Sequence, residues 1–273
     1  MAFPEFNSYS LQDLVTTGII TSNVKKYHAP ERSLEFEPIA RRPGSRILND
    51  EYRNKTIRID GYILANSPMD LRDKIDALHR NVSSVPEATF ALSSDRVGTA
   101  TLQRLDFSEN PYNTDYVPFS MELLMTDPFF YDNQHSVEFT IASGEISHTE
   151  EITISGSYFA SPSLTLQVDA GAGYTQTQRI DFAYVSTGET VVWSGGVSEE
   201  NISYGDSLQI DYNTQLILRN SSTQKSSGSF AEWEPGERNF TVTFSGVGDW
   251  TGGLVTLSYQ PRYLEWLTQQ VEQ

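Results

Sequence analysis

Six basic residues between positions 41 and 58 are the densest group of potential binding side chains in the sequence. Arginine forks bind carboxylates and phosphates, so a nucleic-acid site is one hypothesis. Such a site favours interleaved aromatic residues and a net basic domain, whereas only Tyr52 interrupts this group and the chain is acidic. Two alternatives remain, an ordinary solvated loop and an ionic contact between copies of the protein or with a partner. The six residues are Arg41, Arg42, Arg46, Arg53, Lys55 and Arg58.

Residues that could catalyse a reaction show no recognisable pattern. The sequence has no nucleotide-binding glycine motif, no HExxH, no G-x-S-x-G and no cysteine. Acidic doublets such as Glu150–Glu151 and Glu199–Glu200 do not suit a glycosidase, because adjacent strand residues point to opposite faces. We therefore expect no enzyme, no cofactor and no metal site. The four histidines also lack metal-ligand spacing: His28, His79, His135 and His148.

Composition narrows the class of protein further. The chain has 273 residues, with 36 acidic and 19 basic side chains and a formal net charge of −17. This acidity argues against tight nucleic-acid binding, and the lack of cysteine excludes a disulfide scaffold. Residues 1–10 do not resemble a secretory signal, and no apolar run approaches the ~18 residues of a membrane span. We expect a protein with no membrane segment.

The charge is unevenly distributed and suggests two domains. Residues 1–132 carry a net charge of −5 and residues 133–273 one of −12. The aromatic segment Phe129–Tyr131, preceded by Pro128, lies between the two halves and is expected to be packed. We predict domains at residues 1–132 and 133–273.

One helix and several strands are predicted in the first half. Ser67 is a typical N-cap residue and Pro68 suits the first helical position. Apolar residues follow at helical spacing from Leu71 to Val82. Alternating patterns predict strands at Leu34–Pro38, Thr56–Leu64, Ala100–Phe107 and Val117–Met125.

The second half contains nine short β patterns separated by turn residues, which is typical of a β-sandwich. The predicted fold class is therefore mainly β, with an α+β N-terminal domain of antiparallel strands and one helix, followed by a C-terminal sandwich. The nine patterns are Val137–Ile141, Glu151–Ile154, Leu164–Val168, Arg179–Val185, Glu189–Trp193, Ser207–Asp211, Gln215–Arg219, Asn239–Phe244 and Gly253–Tyr259.

The order of these motifs resembles that of distal tail proteins of long-tailed siphophages. The similar segments are His28–Leu48, the strand Tyr52–Leu64, the helix Met69–Leu78 and the junction Asp127–Tyr131. Further on, Gly205–Asn220 and the turn at Pro235–Gly236 resemble the galectin-like C-terminal domain of that family.

This resemblance implies a structural virion protein. Such proteins form a homo-hexameric ring at the distal tail end, between the tail tube and the baseplate or tail-tip adsorption apparatus. The implied partners are the tail tube protein, the tape measure protein, the tail-associated hub protein and a receptor-binding protein. The implied location is the virion, with host cytoplasm during assembly. In this setting we assign residues 41–58 and strand Thr56–Leu64 to subunit contacts.

A carbohydrate-binding module that assists host attachment is the alternative function. Trp233 and Arg238 resemble part of the galectin sugar-binding motif, but Gly236 replaces its acid and the HxNPR element is absent. Core packing is the competing interpretation for Trp193, Trp233 and Trp250.

Overall fold

The structure is a computed structural model of the whole chain. It describes residues 4–25, 29–38, 45–84, 86–108, 115–168, 179–184, 189–194, 202, 205–224, 226–245 and 252–264. These residues form one helix and antiparallel sheets, so the predicted mainly-β class is confirmed. No helix in this part of the chain is long and apolar enough to span a membrane.

The chain divides into two compact units, and the break lies between Asp132 and Asn133. The second unit ends at Arg262, and Tyr263 and Leu264 group with the first unit. The predicted second domain, residues 133–273, differs from this unit at its C-terminal end and stays a prediction. The reason is a return of the chain: Tyr263 lies under the Arg96 guanidinium, with 3.3 Å between the guanidinium carbon and the ring centroid.

The first unit contains helix α1 (Pro68–Ser83) and a nine-stranded antiparallel sheet, most of it in the order β2-β1-β7-β8-β9-β6-β3. Two further strands, β4 and β5, form a separate two-stranded hairpin. The strands are β1 (Glu5–Phe6), β2 (Tyr9–Ser10), β3 (Ile19–Lys25), β4 (Arg32–Pro38), β5 (Ser45–Tyr52), β6 (Lys55–Leu64), β7 (Ala88–Ser93), β8 (Arg96–Phe107), β9 (Tyr116–Met125) and β10 (Phe130–Tyr131), with β22 (Arg262–Tyr263) paired to β10.

Helix α1 and its N-cap residue Ser67 are present as predicted. Ser67 has extended backbone angles, and its hydroxyl accepts a hydrogen bond from the Asp70 amide at 3.2 Å. Leu78 and Val82 are buried and pack with Ile57, Ile59 and other residues of the sheet. The helix thus covers one face of the sheet, as the amphipathic spacing indicated.

The second unit is a β-sandwich. A six-stranded sheet has the order β11-β21-β13-β16-β17-β18, and a five-stranded sheet has the order β12-β20-β14-β15-β19. Buried side chains of both sheets form a single core. The strands are β11 (His135–Ile141), β12 (Ser147–Ile154), β13 (Ser163–Val168), β14 (Arg179–Tyr184), β15 (Glu189–Ser194), β16 (Ser207–Asp211), β17 (Leu216–Arg219), β18 (Ser222–Gln224), β19 (Ser226–Gly228), β20 (Gly236–Ser245) and β21 (Gly253–Tyr259).

All nine predicted strands of the second half are present, and two begin three or four residues early. The sequence patterns missed β18 and β19, because these strands have three residues each and consist mostly of serine, threonine and glycine. In the first half they missed six strands: β1, β2 and β10, which have two residues each, and β3, β5 and β7.

Candidate subunit interface

Strand β6 has one buried and one outward side. Ile57, Ile59 and Ile63 are fully buried, whereas Arg58 is half-buried and the Tyr62 side chain is exposed. This alternation follows from the pleat, which sends successive side chains to opposite faces. The outward side of β6 is therefore the part of the predicted interface strand that can meet another molecule.

The neighbouring strands extend this outward side into a polar surface. Asp60 of β6 lies opposite Ser120 of β9, and Arg58 lies opposite Glu122. On the next strand, Arg104 and Asp106 of β8 face Glu122 and Ser120, respectively. We call this surface, with Lys25 of β3, the charged face.

Asp60 is the centre of the charged face. Its carboxylate accepts hydrogen bonds from Lys25 Nζ, Arg58 Nε and Ser120 Oγ, each at 2.8 Å. Partial burial acts to raise the pKa of Asp60, but these three donors outweigh it and lower the pKa to about 2. The hydrogen bond to Asp60 raises the pKa of Arg58 in return. Asp60 is thus a carboxylate at any physiological pH.

Each cation of the charged face has a carboxylate beside it. Lys25 and Arg58 pair with Asp60, and Arg104 pairs with Asp106. A shallow depression of about 560 Å³ lies on this face, and its lining includes Arg58, Asp60, Arg104 and Asp106. Because the charges compensate one another locally, the face offers no concentrated positive potential to a polyanion.

The structure places only part of the predicted basic group on the charged face. Arg58 lies there. Arg53 is exposed at the base of the β4–β5 hairpin, where its guanidinium contacts the Ser33 hydroxyl at 3.4 Å. Arg41 and Arg42 lie outside the described residues, and so does the side chain of Arg46.

Lys55 requires a correction, because its side chain is 4% exposed and cannot contact another subunit in this conformation. Its ammonium group lies over the Phe130 ring, 4.8 Å from the centroid, and 3.4 Å from the Leu264 carbonyl oxygen. Lys55 stands two residues before Ile57, so the strand alternation itself could have predicted an inward side chain. Lys55 therefore contacts Phe130 and Leu264 of its own chain and not a second subunit.

Lys25, Ser120, Arg104 and Asp106 were missed as candidate residues, and Asp60 was included only as part of the strand Thr56–Leu64. They come from the four strands β3, β6, β8 and β9, and their convergence depends on strand order and register. The alternation within Thr56–Leu64 could have marked Asp60 as outward-facing. The same alternation places Arg58 beside it, but no local pattern identifies Lys25 or Ser120 as its partners.

The structure also corrects the carbohydrate hypothesis at Trp233. This side chain is 0% exposed and stacks on Tyr184, with ring centroids 4.7 Å apart. A fully buried indole cannot offer its face to a sugar, so core packing is the role that the structure gives it. Trp193 is equally buried, and Trp250 lies outside the described residues.

Arg238 is also engaged within the second unit. Its guanidinium donates to the Glu234 carboxylate at 3.2 Å and to the Glu237 carbonyl oxygen at 2.9 Å. Without the Trp233 face beside it, Arg238 does not form a galectin-type sugar site. Within the described part of the chain, no three histidine or acidic side chains could jointly hold a metal ion.

The geometry defines a class of fold: a helix-covered antiparallel sheet unit followed in sequence by a β-sandwich unit. No protein-family model matches the sequence, and a comparison with curated proteins finds no match. Among solved structures, the chain shares its fold with the distal tail protein Dit of phage SPP1, described as a paradigm of the hub adsorption apparatus in phages infecting Gram-positive bacteria. The TM-score is 0.66 at 11% identity, covering 95% of this chain and 98% of that one.

Two other similarities are much weaker. A chain of the activated phage P2 baseplate gives a TM-score of 0.39 at 5% identity, over 91% of this chain and 92% of that chain. A fructofuranosidase from Schwanniomyces occidentalis gives 0.25 at 8% identity, over 85% and 59%. Both scores are too low for a shared fold to follow from them.

Proposed function

We propose that this protein is a structural component of a phage tail, located at the distal end where the tube meets the adsorption apparatus. The observation that carries the proposal is the shared fold with SPP1 Dit over nearly the whole of both chains. The order of the sequence motifs supports the same class of tail protein. The role is one of architecture and not of catalysis.

In this proposal six copies close into a ring, and the first unit forms the ring body. The cations of the charged face are matched by the carboxylates of Asp60, Asp106 and Glu122, so this face adds no net positive charge to the ring body. Such a surface would not retain the phosphate backbone by counterion release. The proposed partners are the tail tube, tape measure, hub and receptor-binding proteins of the same virion.

Light scattering of the full chain over a range of concentrations tests the ring. We expect a hexamer, or assembly towards one as the concentration rises. A strict monomer at all concentrations and salt conditions would count against the ring. Electron microscopy of phage particles labelled through this protein tests the location, and a label away from the tail end would refute it.

A further inference from the structure

His148 lies between two carboxylates at one corner of the second unit. Its Nδ1 atom is 2.8 Å from Glu145 Oε1, and its Nε2 atom is 3.3 Å from Glu150 Oε2. The His148 side chain is 20% exposed, and the glutamate side chains are 32% and 38% exposed. Both ring nitrogens therefore face a carboxylate oxygen in partly shielded surroundings. We call these three side chains the corner cluster.

The corner cluster lies where the chain passes from one sheet of the sandwich to the other. Strand β11 belongs to the six-stranded sheet and β12 to the five-stranded sheet, and each has a partner strand on one side only among the described residues. Glu145 closes the turn between them: its amide donates to the Ala142 carbonyl oxygen at 3.2 Å, and its Oε2 atom accepts from the Ala142 amide at 3.1 Å. Glu145 thus connects this turn to His148.

The remaining surroundings of the His148 ring are apolar. The Phe139 ring of β11 stacks on it, with 5.3 Å between the centroids and 13° between the planes. Val242 of β20 lies opposite His148 on the neighbouring strand. Strand alternation turns Glu138 and Glu151 to the outer faces of their sheets. Within the described part of the chain, the titratable groups that face His148 are therefore the two glutamates of the corner cluster.

A neutral imidazole cannot satisfy both carboxylates. It donates a hydrogen bond from one nitrogen and carries a lone pair on the other, whereas an ionised carboxylate only accepts. The neutral ring would therefore point its lone pair at either Glu145 or Glu150. The imidazolium ion has an N–H group on each nitrogen and suits both carboxylates. A cation is also favoured against the face of the Phe139 ring.

The Glu145 carboxylate is held in its charged form. The hydrogen bond from His148 is the largest influence on it and, with the bond from the Ala142 amide, lowers the pKa of Glu145. Its contribution to stability is therefore present above the unfolded value of about 4.3 and is lost as the pH falls through the lowered one. Above that range, the protonation of the histidine decides the charge of the corner cluster.

We propose that the corner cluster is a pH-sensitive clamp. With both ring nitrogens protonated, His148 ties the β11–β12 turn to strand β12, and loss of one proton allows this corner of the sandwich to open more often. Deprotonation replaces one of the two hydrogen bonds by a contact between a lone pair and a carboxylate. The clamp lies within the second unit and does not depend on the proposed ring.

Hydrogen exchange of the full chain, followed by mass spectrometry, tests the clamp. Protection factors corrected for the intrinsic pH dependence of exchange are compared at about pH 5.5 and about pH 8, on either side of the ordinary histidine range. For peptides within residues 139–150, we expect wild-type protection to fall about two- to fivefold at the higher pH, as for a partly exposed ion pair. His148→Gln cannot gain the charge and should show no such fall. An unchanged wild type, or an equal fall in His148→Gln, would overturn the proposal.

The variant Glu150→Gln separates the role of the proton from simple packing. A glutamine amide can donate to the lone pair of a neutral imidazole, so this variant should keep its protection at about pH 8. A fall equal to that of wild type would overturn the proposal.

His79→Gln is the matched control, because His79 is exposed on α1 and has no recorded ion pair among the described residues. It should retain the wild-type pH dependence within residues 139–150. Loss of that dependence in His79→Gln would also contradict the clamp, because the effect would then not belong to His148.

Discussion

Asp60 shows how one carboxylate can organise an outward surface. Three donors from three strands meet on it, so removing the charge leaves Lys25 and Arg58 as neighbours without their shared counter-charge. Its pKa lies near 2, below the value of about 3.9 for an unfolded aspartate. A lowered folded-state pKa stabilises the protein above the unfolded pKa, and this stabilisation is lost as the pH falls through the folded one.

We therefore expect Asp60→Asn to lower the free energy of unfolding of the first unit at pH 7. The difference from wild type should shrink between about pH 4 and about pH 2, because wild-type Asp60 itself becomes protonated there. Urea unfolding at a series of pH values measures this. Asp73→Asn is the control, since Asp73 is exposed on α1 without a recorded ion pair among the described residues. A difference that stays constant down to pH 2 would contradict the assigned role.

Asp206 is the corresponding residue of the second unit, but its role is internal. It is 8% exposed and accepts hydrogen bonds from the Arg219 guanidinium at 2.6 and 3.0 Å and from Asn220 Nδ2 at 2.6 Å. Asp206→Ala would leave the Arg219 charge largely buried without this acceptor. We expect a loss of about 3 kcal/mol in the free energy of unfolding.

The exposed pair Arg179–Asp181 provides the control for Asp206. The two side chains meet at 2.7 Å, but 53% of Arg179 is exposed. Asp181→Ala should therefore cost less than about 1 kcal/mol in the same urea titration. Equal losses for Asp181→Ala and Asp206→Ala would show that burial does not set the strength of these pairs.

At the scale of elements, helix α1 is held at its start by side chains. Ser67 accepts from the Asp70 amide, and Asp70 Oδ2 accepts from the Asn66 amide at 2.8 Å, so two amides at the helix start gain partners. Ser67→Ala should lower the free energy of unfolding by about 1 kcal/mol. Ser84→Ala at the other end should change it by less than about 0.5 kcal/mol, because Ser84 already has right-handed helical backbone angles. Thermal or urea unfolding checks both, and equal effects would argue against capping by Ser67.

At the scale of the whole molecule, each unit has a hydrophobic core of its own, and among the described residues the two cores have no member in common. Leu166→Ala in the second unit should cost about 2–5 kcal/mol through the cavity that it creates. We expect hydrogen exchange to accelerate within Asn133–Arg262 and to stay unchanged within the first unit. Ile59→Ala should give the reciprocal pattern. Acceleration throughout the chain for either variant would show that the two units unfold as one.

The sequence by itself was sufficient for the features that depend on neighbours along the chain. The cap at Ser67, the spacing from Leu71 to Val82 and the alternation of Thr56–Leu64 are local patterns. Side chains repeat about every 3.6 residues around a helix and every two residues along a strand. Such patterns therefore predict directly which side of the element is buried and which is exposed. The same alternation also predicts that the Lys55 side chain points inward. The basic residues around Lys55 suggested instead that it contacts another subunit.

Only the tertiary structure decided which side chains meet. Asp60 and Ser120 are sixty residues apart in sequence and are brought together by the register of β6 on β9. The burial of Trp233 depends on two sheets packing face to face, and the exposure of Phe36 depends on β4 and β5 forming a separate two-stranded hairpin. Strand order, strand register and the burial of a sheet face depend on packing between segments that are distant in the sequence. A local hydrophobic pattern does not determine that packing.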